Sequence, residues 1–532
     1  TDNLVAKVNN TALVTTETAY DVANELNSSA PQVMKMSRII SNLQELKKAD
    51  FIPESRSGDE SLELLTNLAL ASKDEKGEVS IIKSLADALK KTAKIGDVET
   101  AVNTLHQLTT DLTSHAKEKL QLIEETSIEI ANKCDLDETR TEKLKKILTD
   151  VQRIKLSKVD LAKADIKDEK LRALLSEIID SDGVSGADSI PAVGAIIEKI
   201  LSSNLERKDH NIDSLYSIVD NIASTARQQA LLTTETAYEM GQELNMSTPQ
   251  LVKLGHILSD LRDIKQSHAA IPMNAIEDDN LELLLNLALP CDATKPDEQT
   301  VKTLADILKN TINIDAEQKV QTVDSLHALT AELVQDARMK SKLANEKATE
   351  MARNLNVGET YSVKLCEILS NLQQIKLSDI DITQHNIKNE SWKTLIDFVL
   401  QTENNLDNGQ FYEILGGEIE KMIRADPEHK LQNINSLHAV LNGVITKENN
   451  KSYLVANTAY NMAKELEVNI PNLMKISHIL SDLQDVKHAN VPLPQHEIKD
   501  EKLQVLLNLA IASDSKKSDV EAMEALSKAL KS

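Results

Sequence analysis

Residues 317–356 read EQKVQTVDSLHALTAELVQDARMKSKLANEKATEMARNLN, forty positions without a glycine or a proline. Val320, Val323, Leu326, Leu333, Ala337, Ala344, Ala348, Met351 and Leu355 follow one another at spacings of three, four or seven, which keeps them on one helical stripe. At 1.5 Å per residue such a helix is roughly 60 Å long, more than one compact unit buries. The stretch reads as a rod shared by two consecutive units.

On either side of it the chain repeats itself. Residues 15–47 (TTETAYDVANELNSSAPQVMKMSRIISNLQELK), 233–265 (TTETAYEMGQELNMSTPQLVKLGHILSDLRDIK) and 456–487 (ANTAYNMAKELEVNIPNLMKISHILSDLQDVK) are plainly related, and two more divergent copies lie between them. Alignment puts Tyr20, Ile128, Tyr238, Thr349 and Tyr460 in register, at intervals of 108, 110, 111 and 111 residues. A fixed period of this kind marks a repeat architecture. Five units result, 1–96, 97–207, 208–315, 316–426 and 427–532. Leu4 is in register with Leu112, Ile222, Leu333 and Val444, so the chain is expected to begin part-way along a long helix, as a segment of a longer array does.

Each unit is predicted to hold four helices. The long ones cross from unit to unit over 97–134, 209–244, 317–356 and 428–466, with Gly241 and Gly443 expected to bend or break two of them. Their ends fall at Asn27, Asp135, Asn245, Asn356 and Glu467, where a left-handed cap is predicted. Ser29, Asp137, Ser247, Gly358 and Asn469 follow as N-caps, with Pro31, Pro249 and Pro471 in the first helical turn. A second helix runs to about Lys47, Lys155, Lys265, Lys376 and Lys487. Then comes an extended connection, where Val159-Asp160-Leu161, Ile380-Asp381-Ile382 and Val491-Pro492-Leu493 alternate apolar and other side chains. A third helix (280–289, 501–512) and a fourth (79–94, 191–203, 298–313, 411–424, 520–530) complete the unit.

Composition narrows the function. Only 2% of the 532 residues are aromatic, so cores must be built from Leu, Ile, Val, Ala and Met, and pockets walled by aromatic rings are not expected. Sixty Lys and Arg against 84 Asp and Glu give a net charge of −24, which phosphate backbones and anionic lipid surfaces repel. Nucleic acid is therefore not expected as a partner. Cys134, Cys291 and Cys366 are odd in number, lack CxxC spacing and fall at different repeat positions, so neither disulfides nor zinc is expected. No apolar stretch is long enough for a transmembrane segment. Cysteine-poor chains of this kind fit a reducing cytoplasm and equally a bacterial surface or secreted segment.

The repeats also test each suggestive residue, because chemistry that matters should survive copying. His256 and His478 share a register with Arg38, Lys146 and Glu367, which reads as a solvated face. His106, His327 and His438 share another with Tyr216, which reads as a packing position with a polar tip. No second His, Cys or carboxylate is fixed beside either, so no metal is expected. Residues 180–183 (DSDG) begin like a calcium loop but lack the later ligands. No phosphate-binding glycine loop, nucleophile elbow or HExxH occurs. An enzyme is not expected, and no cofactor.

What persists is Lys47, Lys155, Lys265, Lys376 and Lys487, invariant at the end of the second helix. They read first as cations meeting the last carbonyls of a helix, and second as a row of ammonium groups for an acidic partner. Mid-helix, Ser41, Thr149, Ser259, Ser370 and Ser481 precede Asn42, Asp150, Asp260, Asn371 and Asp482, predicting close helix approach at the hydroxyl and a hydrogen-bonded anchor at the Asx.

A period near 110 with a helix running from each repeat into the next resembles the spectrin-type arrangement. Four segments per unit, two of them short, and a single Trp392 depart from that family's three long helices and characteristic tryptophan. The fold expected is all-α, an extended array of ~110-residue helical repeats joined by long helices shared between neighbours. The function expected is a non-enzymatic scaffold or spacer for protein partners, with a helical carrier of lipid or small apolar ligands as the alternative.

Overall fold

The computed structural model describes residues 2–49, 59–70, 78–95, 97–156, 175, 189–203, 208–267, 269–273, 276–290, 297–314, 317–378, 380, 382, 385, 387–402, 406–489 and 519–531. Among these residues the chain is all-helical, with no strand. In order the α-helices are α1 (Asp2–Glu25), α2 (Ala30–Lys48), α3 (Glu60–Leu70), α4 (Glu78–Ala93), α5 (Val98–Cys134) and α6 (Glu138–Leu156). Next come α7 (Ser189–Ser203), α8 (Lys208–Glu243), α9 (Thr248–Ser267), α10 (Asp279–Ala288), α11 (Asp297–Ile314) and α12 (Lys319–Asn354). The last are α13 (Glu359–Leu377), α14 (Glu390–Gln401), α15 (Asn408–Arg424), α16 (Lys430–Leu466), α17 (Ile470–Ala489) and α18 (Asp519–Lys531).

The turn after each long helix is the most regular local feature. Asn27, Asp135, Asn245, Asn356 and Glu467 all have φ between 50° and 56°. The next residue returns an N–H to a carbonyl five back, as in Ser28 to Ala23, Leu136 to Ala131, Met246 to Gly241, Val357 to Ala352 and Val468 to Ala463. That six-to-one bond satisfies carbonyls the helix end would otherwise orphan. The acceptor is alanine or glycine every time, because the next helix folds back against this point. At Gly241 a Cβ would lie 1.7 Å from Leu251 Cδ2, so any larger residue there requires Leu251 to shift.

Helix direction can be read from the cross-links. In the first part, Lys35 meets Asn103 at a separation of 68 residues, and Asn42 meets Thr109 and Thr110 at 67 and 68. Further on, Lys364–Asn435, Glu367–His438 and Asn371–Asn442 are all 71 apart. A constant separation means that the second helix of a repeat runs parallel to the first half of the next long helix. The second halves of α1, α5 and α12 run parallel to α4, α7 and α15 in the same way, through Lys90–Glu25, Lys133–Glu198, Lys347–Glu413 and Asn354–Glu420. Against the second helix that follows its turn it is antiparallel, as Lys145–Glu124 at 2.7 Å and Thr349–Ser362 at 3.4 Å require.

The chain divides into two compact units, Thr1–Gly255 and His256–Ser532, with the division inside α9. In the first, Leu144, Ile147, Leu148, Val151 and Ile154 of α6 pack with Ile212, Leu215 and Val219 of α8. In the second, Leu365, Ile368, Leu369, Leu372 and Ile375 of α13 are wholly buried among Ala344, Ala348 and Met351 of α12 and Ile434, Leu437 and Leu441 of α16. Each such side chain contributes about 1.5–3 kcal/mol by burial. Trp392 is buried in this same cluster.

Three expectations are corrected. Helix α8 runs through Gly241 and α16 through Gly443 without a break, since isolated glycines cost a helix about 1 kcal/mol and packing on both sides exceeds that. In α12 Val320 stands 50% exposed, Leu333 is only half-buried, and Val334 is buried instead. Two lysines also lie on the buried stripe. The Lys340 ammonium donates to the Ala270 carbonyl at 3.0 Å, and that of Lys347 sits 2.8 Å from Glu413. Long side chains reach over apolar surface to such partners, which a stripe of apolar letters misses.

The connection after the second helix is described in two repeats. Ala269, Ala270 and Ile271 are buried, and the Ile271 N–H and carbonyl are both held by the Gln374 side-chain amide, at 2.7 and 3.1 Å. Ile380 is buried as expected, whereas 159–161 and 491–493 lie outside the described residues.

Candidate functional site

The invariant lysines at the end of the second helix are the natural starting point. Lys265 is nine-tenths buried, and its ammonium donates to the carbonyls of Ala288 and Leu289 at 3.3 and 3.2 Å. Lys376 donates to Val399 at 3.4 Å and to Thr402, with the Phe411 ring centroid 5.9 Å away. Burial holds the Lys376 ammonium below the ordinary lysine range. In both cases the carbonyls belong to the last turn of the third helix, α10 or α14. The cation therefore caps a helix, and the helix it caps is a different one, 23 to 26 residues further on. Lys47 is half-buried, and the side chains of Lys155 and Lys487 lie outside the described residues.

A second polar constellation lines the parallel seam between second and long helices, in layers one turn apart. The first layer is a lysine on an amide or carboxylate: Lys35 on Asn103 at 2.5 Å, Lys143 on Asp213 at 2.7 Å and Lys364 on Asn435 at 2.6 Å. Lys35, Lys143, Lys253, Lys364 and Lys475 occupy one register of the repeat, and this invariance was overlooked by sequence reasoning although it was open to it. The third layer is the Asx anchor. Asn42 donates to Thr110 Oγ1 at 3.2 Å, Asn371 donates to Asn442, and Asp150 lies 3.7 Å from the Arg227 guanidinium. Asp150 is fully buried and Arg153 approaches it at 3.2 Å as well, so one carboxylate is flanked by two guanidinium groups. The accompanying hydroxyl is buried at Ser370 and exposed at Ser41, so close approach there is not general.

The middle layer brings together the two histidine registers that the sequence treats apart. Nδ1 of His256 is 3.1 Å from Nε2 of His327, with the rings stacked at 5.3 Å between centroids. The corresponding pairs are Glu367 with His438 and Lys146 with Tyr216, the latter at 3.4 Å. Where His106 takes the position, burial and then the neighbouring Arg38 and Lys35 hold its imidazole below the ordinary histidine range. The two registers therefore face each other, but the partner differs from copy to copy, so no second histidine or carboxylate is fixed there. Two registers lying 71 residues apart meet only because the helices run parallel. An imidazole pair can share one proton or offer a metal two nitrogens, yet among the described residues no group of three His, Cys, Asp or Glu is placed to hold an ion. Cys134 is buried and Cys366 half-buried, and neither is in a disulfide.

Among the described residues no helix is long and apolar enough to cross a membrane. Comparison with models of known families, with curated proteins and with solved structures returns no match.

Proposed function

We propose that the chain is a non-enzymatic helical-repeat scaffold or spacer that docks protein partners, built as an array of ~110-residue repeats joined by long helices that neighbours share. One observation carries the reading. The polar side chains that persist from repeat to repeat are engaged between helices of the fold, at Lys265–Ala288, Lys364–Asn435 and Asn42–Thr110. Repetition therefore serves architecture, and a pocket chemistry confined to one repeat is not needed to explain it.

The net charge of −24 suits protein partners with basic faces rather than nucleic acid. For Lys265 and Lys376 the capping role is preferred to partner contact, because their ammonium groups are already held by carbonyls. A chain with three cysteines in 532 residues fits either a reducing cytoplasm or a cysteine-poor bacterial surface segment.

The test adds lipid vesicles and fluorescent fatty acids to the full chain. A scaffold leaves both free in solution and keeps its hydrodynamic radius. Saturable uptake of the fatty acid would replace this reading with that of an apolar-ligand carrier.

A further inference from the structure

In one seam, that of α9 with α12, the middle layer is a pair of histidines. Nδ1 of His256 faces Nε2 of His327 at 3.1 Å. Both rings are half-buried, so small ions in solution can reach them. Two nitrogens bound to one Zn²⁺ at about 2.0–2.1 Å, at a tetrahedral angle, stand about 3.3 Å apart. The fold therefore holds the pair near the spacing that a single ion needs.

The next layer supplies a third donor. Asp260 lies four residues after His256, one turn further along the same face of α9, and is half-buried. By register it stands opposite Ala331, where the other seams place Thr110, Asp220 and Asn442. Those three side chains take part in the pairing across their seams, with Asn42, Lys146 and Asn371 as donors. Alanine offers no polar atom and fills less of the seam.

A neighbouring copy already holds a positive charge at this place. Between α6 and α8 the Lys146 ammonium sits 3.4 Å from the Tyr216 hydroxyl and pairs with Asp220. The positions equivalent to His327 and Ala331 thus embrace a cation that the chain itself supplies. The third repeat carries His256 where the second carries Lys146, a ligand in place of a cation.

We propose that His256, His327 and Asp260 form a site for one divalent transition-metal ion of the imidazole-binding kind, Zn²⁺, Ni²⁺ or Cu²⁺, with water completing its coordination. When the ion binds, the proton between the two rings moves to the far nitrogen of its own ring. The Asp260 carboxylate turns toward the pair. The ion then staples α9 to the first half of α12, across 71 residues of chain. The site stands apart from the scaffold reading, which needs no metal and loses nothing if none binds.

Equilibrium dialysis of the full chain against Zn²⁺, at about pH 7.5 where imidazoles are neutral, tests the site. Wild type is compared with His256→Gln, His327→Gln and Asp260→Asn. Wild type is expected to hold one Zn²⁺ per chain that both histidine variants lack, and Asp260→Asn to hold it at least about tenfold more weakly. Binding at the other histidines is common to all four proteins and drops out of the difference. A measurement on wild type alone guards against variants that fold poorly. One equivalent of Zn²⁺ should shift the imidazole NMR signals of His256 and His327 together and raise the thermal unfolding midpoint. Equal Zn²⁺ stoichiometry in wild type and the histidine variants, or ring signals that do not move together, overturns the proposal. Asp260→Asn that binds as tightly as wild type overturns the three-ligand site.

Discussion

The Lys265 ammonium lies 3.2 Å from the carbonyl oxygen of Leu289, across 24 residues of chain that include the whole of α10. One side chain thereby ties the end of a second helix to the end of a third, where a helix dipole concentrates partial negative charge. Replacing Lys265 by Met keeps the stem and removes the donor. The two carbonyls are then left to find water, and chemical denaturation should show a loss of about 2 kcal/mol. An unchanged unfolding midpoint would remove the capping role and return the lysine row to partner binding.

His106 provides a pH prediction. Its folded-state affinity for a proton is below that of the free side chain, so the unfolded chain binds protons more readily in the interval beneath about pH 6.5. The contribution is present above that pH and is lost as pH falls toward the folded-state value. Thermal melts between about pH 7.5 and 5, around the histidine range, should show a steeper fall for wild type than for His106→Gln. Parallel curves for the two would exclude the effect.

Two glycines in long helices should respond in opposite ways. A Cβ at Gly241 would meet Leu251 Cδ2 at 1.7 Å, whereas one at Gly443 would meet nothing within 4 Å. Gly241→Ala is expected to destabilise by about 1–3 kcal/mol through overpacking. Gly443→Ala should stabilise by about 1 kcal/mol, since alanine is the better helix former. Equal shifts from both, measured by urea unfolding, would contradict the packing described for the turn at Asn245.

Asp150 is buried between Arg153 and Arg227, so its removal takes a carboxylate away from two guanidinium groups. Asp150→Ala should cost about 3–5 kcal/mol, as expected for breaking a buried charge cluster by one partner. Asn42 and Asn371 stand in the same register without flanking arginines, and Asn42→Ala should cost only about 1 kcal/mol. The difference between the two variants, rather than either value, is the informative measurement.

A proline at Ala337, buried in the middle of α12, removes a helical hydrogen bond and clashes with the preceding turn, at about 3 kcal/mol or more. If the long helix couples the third and fourth repeats, Ala337→Pro should uncouple them and leave each folded, visible as amide exchange enhanced near the substitution alone. Loss of protection across the whole of His256–Ser532 in one step would falsify the shared-helix reading.

Much of the local structure was legible in the letters. A left-handed turn needs a residue that tolerates positive φ, and Asn or Asp fills four of the five positions; Glu467 follows them by register alone. Helix limits were close, as at 411–424 against Asn408–Arg424, because periodicity and caps are local signals. The candidate site was half legible. The lysine at position 265 was found by its invariance, but its partner at Leu289 was not, since nothing in a sequence says which carbonyls a long flexible side chain reaches.

The sequence by itself determined that the chain is helical and where most of its helices stop, because propensity, capping and the 3.6-residue period act over a few residues. Only the tertiary structure decided what those positions meet. His256 on a solvated face and His327 at a packing position look unrelated until parallel packing sets them 3.1 Å apart. Contacts across 71 or more residues depend on the direction and order in which helices pack, and the energy that selects that order is spread over many apolar side chains.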